Sequence, residues 1–302
     1  MENAFVWFDR EFVFPLLFLK HGRNVLGLNA QSFFSFLHTR SDLMSDYINK
    51  MFGYEGQVIT VIGGAGELGG ALCRAFSQAG GYVVVADVSE AGCQKRVAEL
   101  ESLGGKASWT LIDVTKRQSI VDALEFAKAV NGKVDVLVNA AGVNFASKFL
   151  EHPEEKWDFV ININLKGTFL SCQVFAEHMA ENGGGAILNF GSVTSILPLS
   201  KVFGYSASKA AVLNLSRNIA QDLALKNVRC NTICPGFFPA EQNRKILDPE
   251  RVDNIMRGTP MRRYGTPDEL AGAALLLCSR TAGGFITGAA LSVDGGFTGN
   301  WF

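Results

Sequence analysis

From Gly56 onward the sequence alternates between short β-branched apolar runs and amphipathic stretches, and this alternation constrains the fold more than any other feature. The runs "QVITVI" (57–62), "YVVVAD" (82–87), "KASWTLID" (106–113), "VDVLVNA" (134–140), "GAILNF" (185–190), "VRCNTIC" (228–234) and "AALSVDG" (289–295) read as strands. Helical patterns over 67–79, 89–103, 117–130, 166–182, 204–225 and 267–279 lie between most of them. Strands that are almost wholly apolar need cover on both faces, which implies a parallel sheet. The right-handed rule for crossovers then predicts a doubly wound α/β sheet in a single domain.

Composition excludes several function classes. The chain has 302 residues and a formal net charge of -1, with no basic stretch suited to nucleic acid or an anionic membrane. The six cysteines form no CxxC pair and sit mostly in apolar runs, so buried free thiols in a reducing cytoplasm are expected. His21, His38, His152 and His178 are scattered without ligand spacing, and no metal site is expected.

Residues 1–50 break the alternation. "FVFPLLFLKHGRNVLGLNAQSFFSFLHTR" is rich in Phe, lacks a clean period and holds a Pro inside its most apolar run. That run is too short to span a bilayer, and the acidic residues Glu2, Asp9 and Glu11 do not suit a signal peptide. Three readings stand: an add-on packed on the domain, a membrane-surface helix, or a stretch translated from a misassigned start, with Met44 or Met51 as the natural opening. The domain itself is expected over 51–302.

"VITVIGGAGELGGAL" puts Gly63, Gly66 and Gly69 between a strand and a helix. Gly63 permits a sharp turn, Gly66 the close approach of a phosphate, and Gly69 tight seating of the helix. The helix N-terminus offers free N–H groups and partial positive charge to a pyrophosphate. Tight turns are glycine-rich too, so the strand–loop–helix context carries the reading. Asp87 ends the second strand, eighteen residues after Gly69. A carboxylate there can accept both hydroxyls of an adenosine ribose and repel a 2′-phosphate, which favours NAD over NADP; a turn Asp beside the next helix is the other reading. Asp113 and Val114 end the third run and "NAAG" (139–142) the fourth; each suits a dinucleotide or an ordinary strand-end turn.

"FGYSASKAAVLNLSR" sets Tyr205 four residues before Lys209, so the two are neighbours on one helical face. A free phenol titrates near pH 10. A cation about 4 Å away, at an effective dielectric of about 20, would lower that by about three, making the phenol a workable acid and base. Ser192 lies thirteen residues upstream, where a hydroxyl can hydrogen-bond a substrate oxygen that gains or loses charge; Thr194 and Ser195 are nearby polar alternatives. Asn164 falls where a helix would have to kink, and its side chain would hold a water beside Lys209. Singly, each of these has a bland alternative as a strand-end Ser, a surface Asn or a packing pair.

Together these features resemble the short-chain dehydrogenase/reductase family. The resemblance rests on Gly63 to Gly69, Asp87, Asp113, "NAAG", Asn164, Ser192, "YSASK", Pro235–Gly236 and "SVDGG", and runs from about Gly53 to Phe302. It implies a seven-stranded Rossmann-type sheet, NAD as cofactor and a catalytic tetrad of Asn164, Ser192, Tyr205 and Lys209. Tyr205 would donate or accept the proton, Ser192 orient the carbonyl oxygen, Lys209 lower the phenol pKa and hold the nicotinamide ribose, and Asn164 maintain a proton relay. Cofactor contacts are expected from Gly63, Gly66, Leu68, Gly69, Asp87, Asp113, Val114, Asn139, Ala140, Gly142, Tyr205, Lys209, Pro235, Gly236 and Phe238. Many family members are tetramers, so a homo-oligomer, tetramer or dimer, is expected. The sequence departs from the family at Ile62, where Thr is usual, at Glu67, where the middle glycine falls, and at Ala240, where a Thr often touches the carboxamide.

"PGFFPAEQNRKIL" resembles a sugar-acid and polyol branch typified by D-mannonate oxidoreductases of the fructuronate reductase type. Ligands in this architecture lie beyond the carboxyl ends of the strands. The connection from Pro235 to about Arg262 would cover the substrate, with contacts expected from Ser192, Thr194, Tyr205, Gln242, Asn243 and Arg244. Arg244 can meet a carboxylate in bidentate fashion. The same polar run also reads as the solvated face of a helix starting near Pro239, with Phe237 and Phe238 lining the pocket instead. The leading expectation is an NAD(H)-dependent oxidoreductase interconverting a secondary alcohol and a ketone on a sugar acid or polyol. The alternatives are a 3-oxoacyl thioester or cyclic alcohol as substrate, a catalytically silent dinucleotide-binding protein, and a membrane-docked enzyme using residues 1–50.

Because residues 1–43 lack the periodicity of an element the sheet needs, a chain beginning at Met44 should melt and react like the full chain. A large loss of melting temperature or of activity in that shortened chain would show the segment to be part of the domain.

Overall fold

The computed structural model describes residues 44–238 and 249–299, so the expectations for residues 1–43 and for Ala240, Gln242, Asn243 and Arg244 lie outside the described residues. All elements below belong to the compact unit Met51–Phe302.

Seven strands form one sheet: β1 (Val58–Ile62), β2 (Tyr82–Asp87), β3 (Lys106–Leu111), β4 (Val136–Asn139), β5 (Gly185–Phe190), β6 (Val228–Pro235) and β7 (Ala290–Val293). Their order is β3-β2-β1-β4-β5-β6-β7, and every neighbouring pair is parallel. The chain works outward from β1 to β3, then returns to lay β4 on the other side of β1, with Ile59 opposite Val136. That reversal is the topological switch point of a doubly wound sheet, where a crevice opens at the carboxyl ends of the strands.

The helices are α1 (Glu67–Gln78), α2 (Glu90–Ser102), α3 (Arg117–Lys128), α4 (Glu154–Ile161), α5 (Thr168–Glu181), α6 (Phe203–Leu223), α7 (Pro249–Gly258) and α8 (Ala271–Cys278). Strand alternation splits the core in two. Ile59, Val61, Val83 and Val85 pack with Leu72, Phe76 and Leu100, whereas Val58, Ile62, Val84 and Ala86 pack with Ile120, Leu124 and Phe175. With both faces covered, β1 is buried along its whole length, as its unbroken apolar run requires.

Some expectations shift in detail. β3 stops at Leu111, so Asp113 stands two residues past the strand rather than at its end. The helical pattern at 166–182 begins earlier, because α4 runs into a π-helical turn, Asn162–Gly167, before α5. α4 was absent from the sequence reading: its "EEKWDFVI" buries only Val160 and gives a weak periodic signal. All six cysteines are free and buried, as expected. Among the described residues no helix is long and apolar enough to cross a membrane.

One half-buried cation fastens α8 to the sheet. The Arg229 guanidinium, on β6, donates to the carbonyls of Leu277 at 2.6 Å, Cys278 at 3.1 Å, Ser279 at 3.0 Å and Ile286 at 3.1 Å. The negative end of the α8 dipole takes the place of a carboxylate partner. Arg229→Met strands those carbonyls, and urea unfolding should show a loss of about 3 kcal/mol.

Candidate active site

The glycine loop follows directly from β1. Gly63 has φ +84°, and a Cβ there would lie 2.5 Å from the Ala141 nitrogen, so only glycine lets the loop pass against the end of β4. A Cβ on Gly69 would fall 2.2 Å from the Gly63 carbonyl oxygen, which keeps α1 seated on the turn. Gly66 is the N-cap of α1, and the first amides of a helix have no intrahelical partner. The loop thus presents bare backbone donors, and the empty space above its glycines, at the mouth of the crevice. This cradle fits a pyrophosphate.

The crevice itself has a volume of about 660 Å³. It brings together Gly63, Gly66, Leu68, Gly69, Asp87, Asp113, Val114, Ala140, Gly142, Ser192, Thr194, Tyr205, Lys209, Pro235, Gly236 and Phe238, all of them anticipated from the sequence. Asp87 accepts the N–H groups of Ala65 at 3.2 Å and Ser89 at 3.1 Å, which fixes its carboxylate between the glycine loop and α2. Asp113 accepts from the Thr115 hydroxyl at 2.6 Å and pairs with Lys116 at 3.0 Å. Those contacts, the Thr115 hydrogen bond first, hold its carboxyl below the usual carboxylate range.

Asn139 does not reach the crevice. Its buried side chain donates to Asn189 Oδ1 at 2.8 Å, and Asn189 donates in turn to Ser216 Oγ at 2.9 Å. Inward-facing positions of adjacent strands hold this amide pair, so the Asn139 side chain links the sheet to α6.

Asn164 is fully buried on the π-helical turn. Its Oδ1 accepts from the Val143 N–H at 2.8 Å, and its Nδ2 donates to the Val143 carbonyl at 2.9 Å and to Ser208 Oγ at 3.1 Å. The Asn164 side chain thus clamps the backbone that follows Gly142. Gly142 separates the two groups: a Cβ there would lie 3.5 Å from both Asn164 Oδ1 and Lys209 Nζ.

Ser192 begins a tight turn after β5. Its Oγ accepts from Thr194 N–H at 3.2 Å, its own N–H donates to Ser195 Oγ at 3.1 Å, and Ser195 Oγ donates to the Lys209 carbonyl at 2.7 Å. The turn is thereby stitched to α6, the helix that carries Tyr205 and Lys209. Lys209 Nζ donates to the Phe190 carbonyl at 2.8 Å and lies 5.6 Å from the centroid of the Tyr205 ring. Burial pushes the Lys209 ammonium down to about 8, with Cys234 opposing. Burial likewise pushes the Tyr205 phenol up, and a hydrogen bond from Ser192 opposes it. The expectation that Lys209 lowers the phenol is thus corrected for the chain by itself. Desolvation of the phenolate prevails, and the ammonium is spent on Phe190.

Sequence reasoning missed Asn144 and Leu199 in the crevice wall, as well as the first-turn Glu67 as a lining charge. Asn144 Oδ1 and Thr194 Oγ1 are buried there without a hydrogen-bond partner. Asn144 follows "NAAG" by two residues, and its position past a strand end was the only available signal.

Fold and site together define a dinucleotide-dependent oxidoreductase of Rossmann type. A family model described as enoyl-(acyl carrier protein) reductase matches residues 63–298. The chain is 35% identical over 242 residues to the 3-oxoacyl-[acyl-carrier-protein] reductase FabG of Thermotoga maritima, covering 80% of this chain and 98% of that protein. It is 34% identical over 250 residues to the 5-keto-D-gluconate 5-reductase of Escherichia coli K12, covering 82% of this chain and 98% of that protein. A solved structure of a gluconate 5-dehydrogenase from Burkholderia cenocepacia, in complex with NADP and tartrate, superposes with a TM-score of 0.80 at 31% identity, covering 84% of this chain and 99% of that one. The chain belongs to the short-chain dehydrogenase/reductase family, whose relatives here act on CH–OH groups.

Burying an ammonium opposes folding. An unfolded lysine titrates at 10.5 and the folded Lys209 at about 8, so the unfolded chain holds more protons between those values. Stability therefore rises with pH across that window, and the full penalty is present below it. At neutral pH without added nucleotide, Lys209→Met should be more stable to urea by about 2 kcal/mol, after allowing for the lost Phe190 hydrogen bond. The gap should shrink above pH 8; a less stable variant at neutral pH would refute the burial penalty.

Proposed function

We propose that this protein is an NAD(H)-dependent oxidoreductase that interconverts a secondary alcohol and a ketone on a sugar acid or polyol. The observation that carries the catalytic reading is that Ser192, Tyr205 and Lys209 line the same crevice as the glycine loop. A nicotinamide dinucleotide, when bound, supplies the hydride acceptor or donor. Ser192 Oγ orients the substrate oxygen and offsets its developing charge. Tyr205 holds the proton: with its pKa raised, the phenol is the acid form at neutral pH and is set to protonate a carbonyl under reduction. Alcohol oxidation needs the phenolate and should climb with pH. Lys209, kept close by its bond to Phe190, fixes the floor of the site, and Asn164 anchors the Val143 backbone next to it.

Charge supports the choice of NAD. The described lining residues include three carboxylates, Glu67, Asp87 and Asp113, and one cation, Lys209. A 2′-phosphate beside Asp87 would meet negative charge with no lining arginine to offset it. The relative from Burkholderia cenocepacia was solved with NADP, so the preference rests on this chain's own carboxylates.

Polarity supports the substrate class. Buried oxygens without partners, as on Asn144 and Thr194, are costly in a wall that faces an apolar ligand and are matched by a hydroxylated one. The Escherichia coli relative, named for a ketogluconate, agrees with this, and Arg244 is the candidate for the substrate carboxylate. The mannonate and fructuronate assignment is one member of this class. A 3-oxoacyl thioester is the second reading, favoured by the Thermotoga maritima relative. Cytoplasmic location and a homo-oligomeric state, tetramer or dimer, complete the proposal on the strength of the family resemblance.

Two measurements test this. A panel of keto-sugar acids, ketoses and oxoacyl thioesters, read by nicotinamide absorbance, should show turnover of a sugar acid or ketose with NADH, and exclusive turnover of the thioester would overturn the substrate class. In the same assay Tyr205→Phe should cost about a hundredfold or more in kcat while NADH still binds. Catalytic efficiency should favour NADH over NADPH, and Asp87→Ala should narrow that ratio; an unaltered preference for NADPH would contradict the charge argument.

A further inference from the structure

Behind the glycine loop, on the side away from the crevice, lies an arginine that the mechanism does not use. Arg96 sits on α2 and does not line the crevice. Its Nη2 donates to the Gly66 carbonyl at 3.3 Å, and its Nη1 pairs with Glu99. Glu99 also takes Arg74 at 3.0 Å, and Arg74 reaches Asp268 at 2.8 Å, so the guanidinium is one end of a fixed ion network. Its Nε is buried without a partner. Arg96 fits there because Gly70 has no side chain: a Cβ on Gly70 would lie 2.1 Å from Arg96 Nη2.

The Gly66–Glu67 peptide connects this arginine to the crevice. In a planar trans peptide the carbonyl and the next N–H point in opposite directions. The Gly66 carbonyl accepts the first helical bond of α1 from the Gly70 N–H at 2.9 Å and Arg96 as a second, charged donor; this carbonyl direction aims the Glu67 N–H the other way, and that amide is among the helix donors without an intrahelical partner. A charged donor on the carbonyl also polarises the peptide and strengthens its N–H. This matters in a crevice whose described lining holds three carboxylates against one lysine, because a pyrophosphate needs compensating positive charge from somewhere.

We infer that Arg96 is a positioning residue for dinucleotide phosphate, acting through the Gly66 peptide, and that Gly70 is glycine to leave it room. The inference rests on the dinucleotide reading of the crevice. It gives Gly70 a purpose that helix propensity opposes, since alanine is the better helix former.

The test is binding, followed by NADH fluorescence and by displacement with ADP-ribose and with adenosine, on the full chain. Gly70→Ala, which pushes the guanidinium aside without altering the crevice lining, should weaken NADH and ADP-ribose by about five- to tenfold. Arg96→Met should do the same, and Arg96→Lys should restore part of the loss. The double variant Gly70→Ala/Arg96→Met should be no weaker than either single one, because both remove one contact. Adenosine, which has no phosphate, should bind all variants alike, and the melting temperature of Gly70→Ala should stay within a few degrees of the parent. Unaltered NADH binding in both single variants, or an equal loss for adenosine, overturns the inference while leaving the dinucleotide reading intact. Failure of the unaltered chain to bind NADH and ADP-ribose removes both.

Discussion

All seven strands run in the same direction, so every loop that leaves a strand emerges at one edge of the sheet. Everything at the site depends on that. The glycine loop leaves β1, Asp87 ends β2, Gly142 follows β4, Ser192 follows β5, and Pro235 closes β6. The reversal between β1 and β4 splays the loops apart and leaves the crevice between them. The chain needs no special device to gather residues as distant as Gly63 and Pro235; parallel pairing does it. The close approach of Gly63 to Ala141 then sets how tightly the two halves of the sheet meet at that edge.

Burial decides the electrostatics. Lys209 stands 5% exposed with a carbonyl as its hydrogen-bond acceptor, and the half-buried Tyr205 lines the same crevice. Each group is pushed toward its neutral form, the lysine downward and the tyrosine upward. The two titrations therefore move apart, so that near neutral pH the phenol is held as an acid while the lysine is within reach of losing its proton. The Ser192–Ser195–Lys209 stitch keeps the carbonyl-orienting hydroxyl and the helix in one frame.

Strand positions were legible because fully buried parallel strands leave unbroken apolar runs: "YVVVAD" and "GAILNF" match β2 and β5 residue for residue. The glycine loop and the Tyr205–Lys209 pair were legible for a related reason, since both depend on local spacing. What sequence could not convey was side-chain direction. Asn139 and Gly142 belong to one short motif, yet Asn139 turns into the sheet and Gly142 stays in the crevice. Asn164 was correctly placed at a helix irregularity, but its partner, Val143, is twenty-one residues away. The rise of the Tyr205 pKa was equally out of reach, because an i,i+4 spacing reports proximity and says nothing of desolvation. Residues such as Asn144 and Arg96 owe their interest to the third dimension alone.

The most direct test of the central claim follows the hydride. The chain is incubated with NADH deuterated at C4 and a panel of keto-sugar acids, ketoses and oxoacyl thioesters, and the products are examined by mass spectrometry. The account predicts an alcohol that carries deuterium on the former carbonyl carbon, with the hydroxyl proton drawn from solvent through Tyr205. NADH that binds the crevice while every carbonyl is recovered unreduced, or an alcohol formed without deuterium, would contradict it.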